Sequence, residues 1–312
     1  MYEKNIIVHG SGFASFLIQF LLKKNFNLDT VSVNSKFDFI PTGMNEIVIP
    51  TLKSIFQLDY SRIFREIDIL DMNNSSFKNK GCILSPLGID QCFHEMKNNF
   101  HPKKVIKGEE INIYAKREDF VKNWNRSSSF LYKLVFCSAK ARKGQKNFEF
   151  SINKMPVYGY SGGDGNYYIA WYIPINETYN GINDAKNFLK INRINIDIFQ
   201  FKEFHVYNDY NDSMELLIGS GRGFGPIILG LSNQLAIIDT LLTIMFIISN
   251  NKVYLDTLLK FRKKIFLDMD SYLKNFTYFK YEEANPIFNR VNYMIEKVTY
   301  LYILFLKNGS IY

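Results

Sequence analysis

Near the start of the chain the apolar positions fall into three short patterns. Asn5-Ile6-Ile7-Val8 reads as a strand, Phe16 to Lys24 recurs at helical spacing, and Thr30-Val31-Ser32-Val33 reads as a second strand after a turn at 25–29. A helix is expected from Thr51 through Leu52, Ile55, Phe56 and Leu58, and another over 60–72 on Ile63, Ile67 and Leu70. Phe77 to Leu84 reads as a strand ended by a turn at Ser85-Pro86-Leu87-Gly88, and 89–130 as mostly helical. Leu131 to Cys137 and Phe148 to Ile152 alternate like the two strands of a hairpin joined by a basic turn. Further strands are expected at Ile169–Pro174, at 198–207 on a peripheral sheet and at Leu216-Leu217-Ile218, with a helix at 185–191. From about Leu231 to the end the pattern is helical.

Two of these strand-to-helix joints are rich in glycine. The first, His9-Gly10-Ser11-Gly12-Phe13-Ala14-Ser15, lies within strand, turn, helix, strand, the order that opens a dinucleotide-binding βαβ unit. Gly10 permits a sharp turn, and Gly12 lets the backbone approach a pyrophosphate. The N–H groups of the first helical turn then face the phosphates, where the helix dipole favours negative charge. Ser15 occupies the third glycine position. The second strand ends in Val33-Asn34-Ser35 and offers no Asp or Glu for a ribose. The second joint is Gly219-Ser220-Gly221-Arg222-Gly223-Phe224-Gly225-Pro226, running into the long helix after Gly230-Leu231.

Composition narrows the class. With 312 residues, 47% hydrophobic and 22% charged, the chain can bury one large core with a smaller appendage. A net charge of +8 suits anionic ligands, but the basic residues are scattered and no nucleic-acid motif accompanies them. Cys82, Cys92 and Cys137 form no CxxC pair, which argues for a reducing compartment without a disulfide framework or zinc site. Leu235 to Ile248 is too short to span a bilayer and contains Asp239, so it reads as a buried core helix. The N-terminal apolar run breaks at Gly10, unlike a signal peptide. A cytoplasmic protein without membrane or nucleic-acid partners is expected; the oligomeric state is not encoded in any pattern.

Four segments in order resemble the flavin-dependent tryptophan halogenase family, within the aromatic-hydroxylase-like FAD monooxygenases. They are Gly10-Ser11-Gly12-Phe13-Ala14-Ser15, Gly43-Met44-Asn45-Glu46-Ile47-Val48-Ile49-Pro50, Ala170-Trp171-Tyr172-Ile173-Pro174, and Gly219 to Pro226. The second resembles the family's G-x-G-E-A-T-x-P loop, with Asn45 at its second glycine. The third resembles W-x-W-x-I-P, with Ile169 at the first tryptophan. The fourth resembles the junction that covers the flavin. After it, Ile227-Ile228-Leu229-Gly230-Leu231 lacks the glutamate and hydroxyl usual in the family.

The resemblance implies an α/β fold: a Rossmann-like FAD-binding domain of the glutathione-reductase type, with an inserted mixed sheet and a C-terminal helical region. It implies a discontinuous FAD domain over 1–240 (about 1–85 and 130–240), a substrate-side insertion at about 86–130, and helices over 241–312. Cofactor contacts are implied at Gly10, Gly12, Phe13, Ala14, Ser15, Asn34, Gly43, Met44, Asn45, Glu46, Ile47, Gly219, Gly223, Phe224, Pro226, Gly230 and Leu231. Trp171, Ile173 and Pro174 would lie on the substrate side. The family's catalytic lysine, which holds hypohalous acid, is matched by Lys78 in Ser76-Phe77-Lys78, with Lys80 as the competitor. The implied partners are a small aromatic, indole-like substrate, halogenated or hydroxylated, and a separate flavin reductase. A flavoprotein acting on a prenyl- or carotenoid-type substrate and a non-catalytic FAD-fold binding protein are the alternatives.

Overall fold

A parallel sheet of four short strands forms the base on which both glycine joints stand. In this computed structural model the described residues are 5–33, 43–71, 78–98, 110–115, 124–140, 147–152, 155–161, 165–174, 198–211, 214–222, 230–274 and 281–309, with 183, 186, 187 and 190. β1 (Asn5–His9) leads into α1 (Phe13–Phe26) and β2 (Thr30–Ser32), as the apolar pattern requires. β1 also pairs in parallel with β6 (Glu110–Tyr114), and β6 with β12 (Leu216–Leu217), giving the order β12-β6-β1-β2. The stretch read as mostly helical, 89–130, therefore supplies a strand to this sheet. Ile113 is fully buried there, and Glu110-Ile111-Asn112-Ile113 alternates with the period of a strand.

The second sheet has eight strands in the order β11-β7-β10-β9-β8-β4-β5-β3. Its members are β3 (Gly43–Asn45), β4 (Phe64–Asp71), β5 (Lys78–Leu84), β7 (Trp124–Lys140), β8 (Phe148–Ile152), β9 (Met155–Ser161), β10 (Asn166–Pro174) and β11 (Ile198–Asn211). Neighbouring strands run antiparallel except β4 and β8. β11, the strand expected over 198–207, forms one edge of this sheet. The expected hairpin of 131–137 with 148–152 does not form. β8 pairs with β9 and β4, while β7 pairs with β10 and β11. Alternation fixes that a run is a strand, and not which strand it meets.

Two further expectations are corrected. The helix read over 60–72 stops after α3 (Tyr60–Ile63), and β4 begins. Ile67 and Ile69 are buried while Arg65, Glu66 and Asp68 are exposed, a period of two that overrides the helical spacing of Ile63 and Ile67. Ser85-Pro86 is not a free turn but the start of α4 (Pro86–Asn98). The Ser85 hydroxyl accepts from Gly88 N–H at 3.2 Å, and proline occupies the first helical position, where its missing N–H costs nothing. The helix read from Thr51 is α2 (Ile49–Phe56). The helix read at 185–191 falls largely outside the described residues.

The core lies between the sheets and the helices. α1 is buried at ten consecutive residues, Phe13 to Leu22, and α5 (Ser232–Ser249) at every residue from Asn233 to Met245. Helices apolar all round belong inside a protein or inside a membrane. α5 is long and apolar enough to cross a bilayer by length and composition, but 78% of it is buried here. It packs on α1, α6 (Lys252–Lys274) and α7 (Tyr281–Gly309). The expected core helix is thus the central rod of the molecule.

Candidate functional site

Because β1, β6 and β12 are parallel, the chain leaves β1 and β12 on the same edge of the sheet. In open α/β sheets that carboxyl edge is where ligands bind. Short backbone bonds extend the edge: Ala115 N–H donates to His9 O at 2.8 Å, and Ile218 N–H to Tyr114 O at 3.0 Å. The Ser220 hydroxyl adds a bond to Ala115 O at 3.0 Å, tying the second joint to the end of β6.

At the first joint Gly10 has φ +121°, in a region that L side chains rarely adopt. Gly12 stands at the N-cap of α1 without a side-chain cap, and a Cβ built on it would meet no atom within 4 Å. The start of α1 therefore presents uncapped N–H groups beside open space. Ser15 is fully buried, and its hydroxyl donates to Gly10 O at 2.7 Å. Gln19 Nε2 in turn donates to Ser15 O at 3.0 Å. Ser15 holds the turn from inside, so its side chain is not presented to a ligand. Phe13 likewise turns inward, edge-on to Phe64 with ring centroids 6.3 Å apart.

At the second joint Gly219 has φ +53° and sits wedged between two helices. A Cβ there would lie 2.7 Å from Ala14 Cβ on α1 and 3.7 Å from Ala236 Cβ on α5. The beginnings of two helices distant in sequence thus converge on one glycine. The Gly219 N–H donates to Asp239 Oδ2 at 2.9 Å, and its carbonyl accepts from Arg262 Nη2 at 3.3 Å. Arg222, fully buried, donates to the carbonyls of Leu217, Asn211 and Glu215 at 3.3, 3.0 and 2.8 Å. Burial pushes the Asp239 carboxyl up, while Arg262, Arg222 and the Gly219 N–H act in the opposite direction.

α5 begins at Ser232, also without a side-chain cap on Leu231, and among the described residues a Cβ on Gly230 would meet nothing within 4 Å. The Leu231 side chain is in the core. Gln234, in the first turn of α5, is buried, and among the described residues its Oε1 has no hydrogen-bond partner. Nothing in the sequence pattern singles out Gln234 or Arg262, and Asp239 and Arg222 show there only as a charge in an apolar run and a member of the glycine joint; a buried amide on an apolar helix is visible only once the helix is placed.

The other expected residues are spread over the eight-stranded sheet. Gly43, Met44 and Asn45 form its edge strand, paired with Ile83, Cys82 and Gly81. Met44 is buried, and a Cβ on Gly43 would press on the Tyr160 ring at 3.0 Å. Glu46 and Ile47 follow in an exposed turn of 3-10 helix. Trp171 and Ile173 are buried on the face of β10 opposite Tyr172, which joins the main core. Pro174 ends that strand, opposite Tyr132. Lys78 pairs with Leu70 at the far end of β5 from Leu84. Leu84 pairs with Phe64, the partner of Phe13, so the Lys78 backbone lies six residues, roughly 20 Å, along the strand from that contact. Lys80 is exposed. Asn34, Gly223, Phe224 and Pro226 lie outside the described residues.

No protein-family model matches the chain, and no curated protein matches it. Solved structures do match over nearly the whole length. Tetracycline destructase Tet(51) superposes with a TM-score of 0.63 at 12% identity, covering 96% of this chain and 98% of that one. Flavin-dependent brominase Bmp2 gives 0.63 at 11%, covering 99% of each. Klebsiella pneumoniae HpxO, solved with FAD and uric acid, gives 0.60 at 11%, covering 96% of each. The fold is that of the aromatic-hydroxylase-like FAD-binding proteins. The expected α/β architecture, with a parallel sheet, a mixed sheet and a helical C-terminal region, is the one observed.

Proposed function

We propose that the chain is an FAD-dependent oxidoreductase that acts on a small aromatic substrate with reduced flavin and O2. The observation that carries this reading is Gly219, held against Ala14 of α1 and near Ala236 of α5 on the carboxyl edge of one parallel sheet. The residues present suit the cofactor. Among the described residues, Gly12 and Gly230 both face space that a side chain would enter, two helix starts are uncapped, and Gln234 beside one of them has an amide oxygen without a partner. FAD, when bound, supplies two-electron chemistry toward O2. The chain's own part is to bind and orient it. Gly10, Gly12 and the first N–H groups of α1 would hold the pyrophosphate. Gly230 and the start of α5 would border the ring, where the helix dipole stabilises developing negative charge.

The similarity to HpxO with uric acid and to tetracycline destructase supports a compact ring system as substrate. That to the brominase supports halogenation, the finer reading. In it Lys78 is the amine that holds the oxidised halogen, at a distance from the pyrophosphate end that a strand's length provides. In this reading reduced flavin is supplied by a separate reductase.

Titration of the purified protein with FAD, followed by its visible absorbance, is the first test; a protein that stays colourless refutes the reading. With an added flavin reductase, product mass with and without bromide or chloride then separates halogenation from hydroxylation. Lys78→Ala is expected to abolish turnover while FAD binding is kept. Loss of FAD binding in that variant would contradict the assigned role.

A further inference from the structure

The Gly219 peptide is gripped through both of its polar groups by charged side chains from two helices. Asp239 Oδ2 accepts its N–H from a position 20 residues downstream, and Arg262 donates to its carbonyl from 43 residues downstream. Arg262 Nε also lies 3.7 Å from Asp239 Oδ1, and the two side chains are 4% and 0% exposed. Burying such a pair is costly, and the cost is offset only when both charges are well bonded. Here both are bonded to a single peptide, and Asp239 Oδ1 has no hydrogen-bond partner among the described residues, so the Gly219 bonds carry the compensation. Gly219 has only 2.7 Å between a notional Cβ and Ala14, so any tilt of this peptide pushes on the first turn of α1.

We propose that Asp239 and Arg262 are positioning residues for the bound dinucleotide. By fixing the Gly219 peptide they set the separation between the starts of α1 and α5, the two helix ends that grip the cofactor. This rests on the FAD reading above. The pair acts through the backbone and touches no cofactor atom.

Three variants test it. Asp239→Asn keeps the shape and removes the charge; Arg262→Lys keeps the charge and removes the planar fork. Leu258→Ala, one helical turn before Arg262 and fully buried, lowers stability while leaving both charged groups in place. FAD affinity is read by flavin fluorescence, the setting of the ring by the visible absorbance band, and the joint itself by amide exchange over 216–222 without FAD.

Asp239→Asn is expected to weaken FAD binding by about tenfold or more, shift the band and speed exchange over 216–222. Arg262→Lys should do the same to a smaller extent, and the double variant should be no worse than the worse single one. Leu258→Ala should leave all three readouts unchanged at a matched drop in melting temperature. Wild-type affinity and spectrum in both Asp239→Asn and Arg262→Lys overturn the proposal, as does an equal loss in Leu258→Ala. If Asp239→Asn fails to fold, Arg262→Lys against Leu258→Ala decides it by the same criteria. A wild-type protein that takes up no FAD overturns the flavin reading and this proposal with it; a wild type that binds FAD no better than the pair variants overturns the proposal alone.

Discussion

The two glycine joints leave the same edge of the same sheet, yet they are stabilised by different chemistry. The first closes on itself with neutral groups: Ser15 donates to the Gly10 carbonyl five residues back, and Gln19 donates to Ser15 four residues back. Thr30 of β2 completes the set, its hydroxyl 3.4 Å from Gln19 Oε1. The second joint is held by Asp239 and Arg262, which reach it from α5 and α6, while Arg222 ties down the carbonyls around it. A turn whose partners lie within one helical turn can form as soon as that helix does. A turn whose partners lie on other helices can form only when those helices have packed, and its geometry then reports on the whole core.

The comparison can be broken most severely at Gly219. Gly219→Ala combines a side chain at positive φ with a contact 2.7 Å from Ala14, and a loss of about 3 kcal/mol in unfolding free energy is expected, with FAD uptake falling alongside. Denaturant unfolding measures it, and a loss below about 1 kcal/mol would show that the helices can separate freely.

Gly12→Val sharpens the contrast from the other side. Among the described residues its Cβ meets no atom within 4 Å, so the stability change should stay within about 1 kcal/mol while FAD affinity falls about a hundredfold. Parallel melting and FAD titration separate the two effects; retained affinity would mean that the phosphates lie elsewhere.

Ser15→Ala is the mildest change. It removes one buried hydroxyl whose partner, the Gly10 carbonyl, is left without it, so a destabilisation of about 1–2 kcal/mol is expected. FAD affinity should change by no more than about threefold, because the side chain faces inward. A large affinity loss without a stability loss would instead make Ser15 a direct ligand.

This difference in support also sets what can be read from the chain. β1, α1 and β2 follow from local apolar spacing, and both glycine joints announce themselves by composition, so the two halves of the candidate site are legible. Their convergence is not, because it depends on β6 entering the sheet between β1 and β12; Glu110 to Ile113 alternates as a strand does, but alternation does not name the strand's neighbours. Asp239 is visible in the sequence only as a charge interrupting an apolar run; that it bonds Gly219 requires α5 to be placed against α1. Arg262 sits in a basic cluster, Lys260 to Lys264, and spacing alone cannot tell the buried member from its neighbours; Lys263 and Lys264 are exposed. On the mixed sheet, alternation identifies β7 and β8 as strands, but their pairing is settled by β10 and β9, which lie later in the chain.

The burial of α1 has a consequence for how the protein is made. A ribosome releases Phe13 to Leu22 early, ten residues that end up without a solvent-facing side, while α5, their main helical cover, emerges only after residue 232. Until α5 emerges that helix is a sticky surface awaiting a late partner, the condition in which chaperone capture competes with self-association. Slow expression at low temperature, or co-expression of a holdase, should therefore raise the yield of native protein more than any change to its exterior.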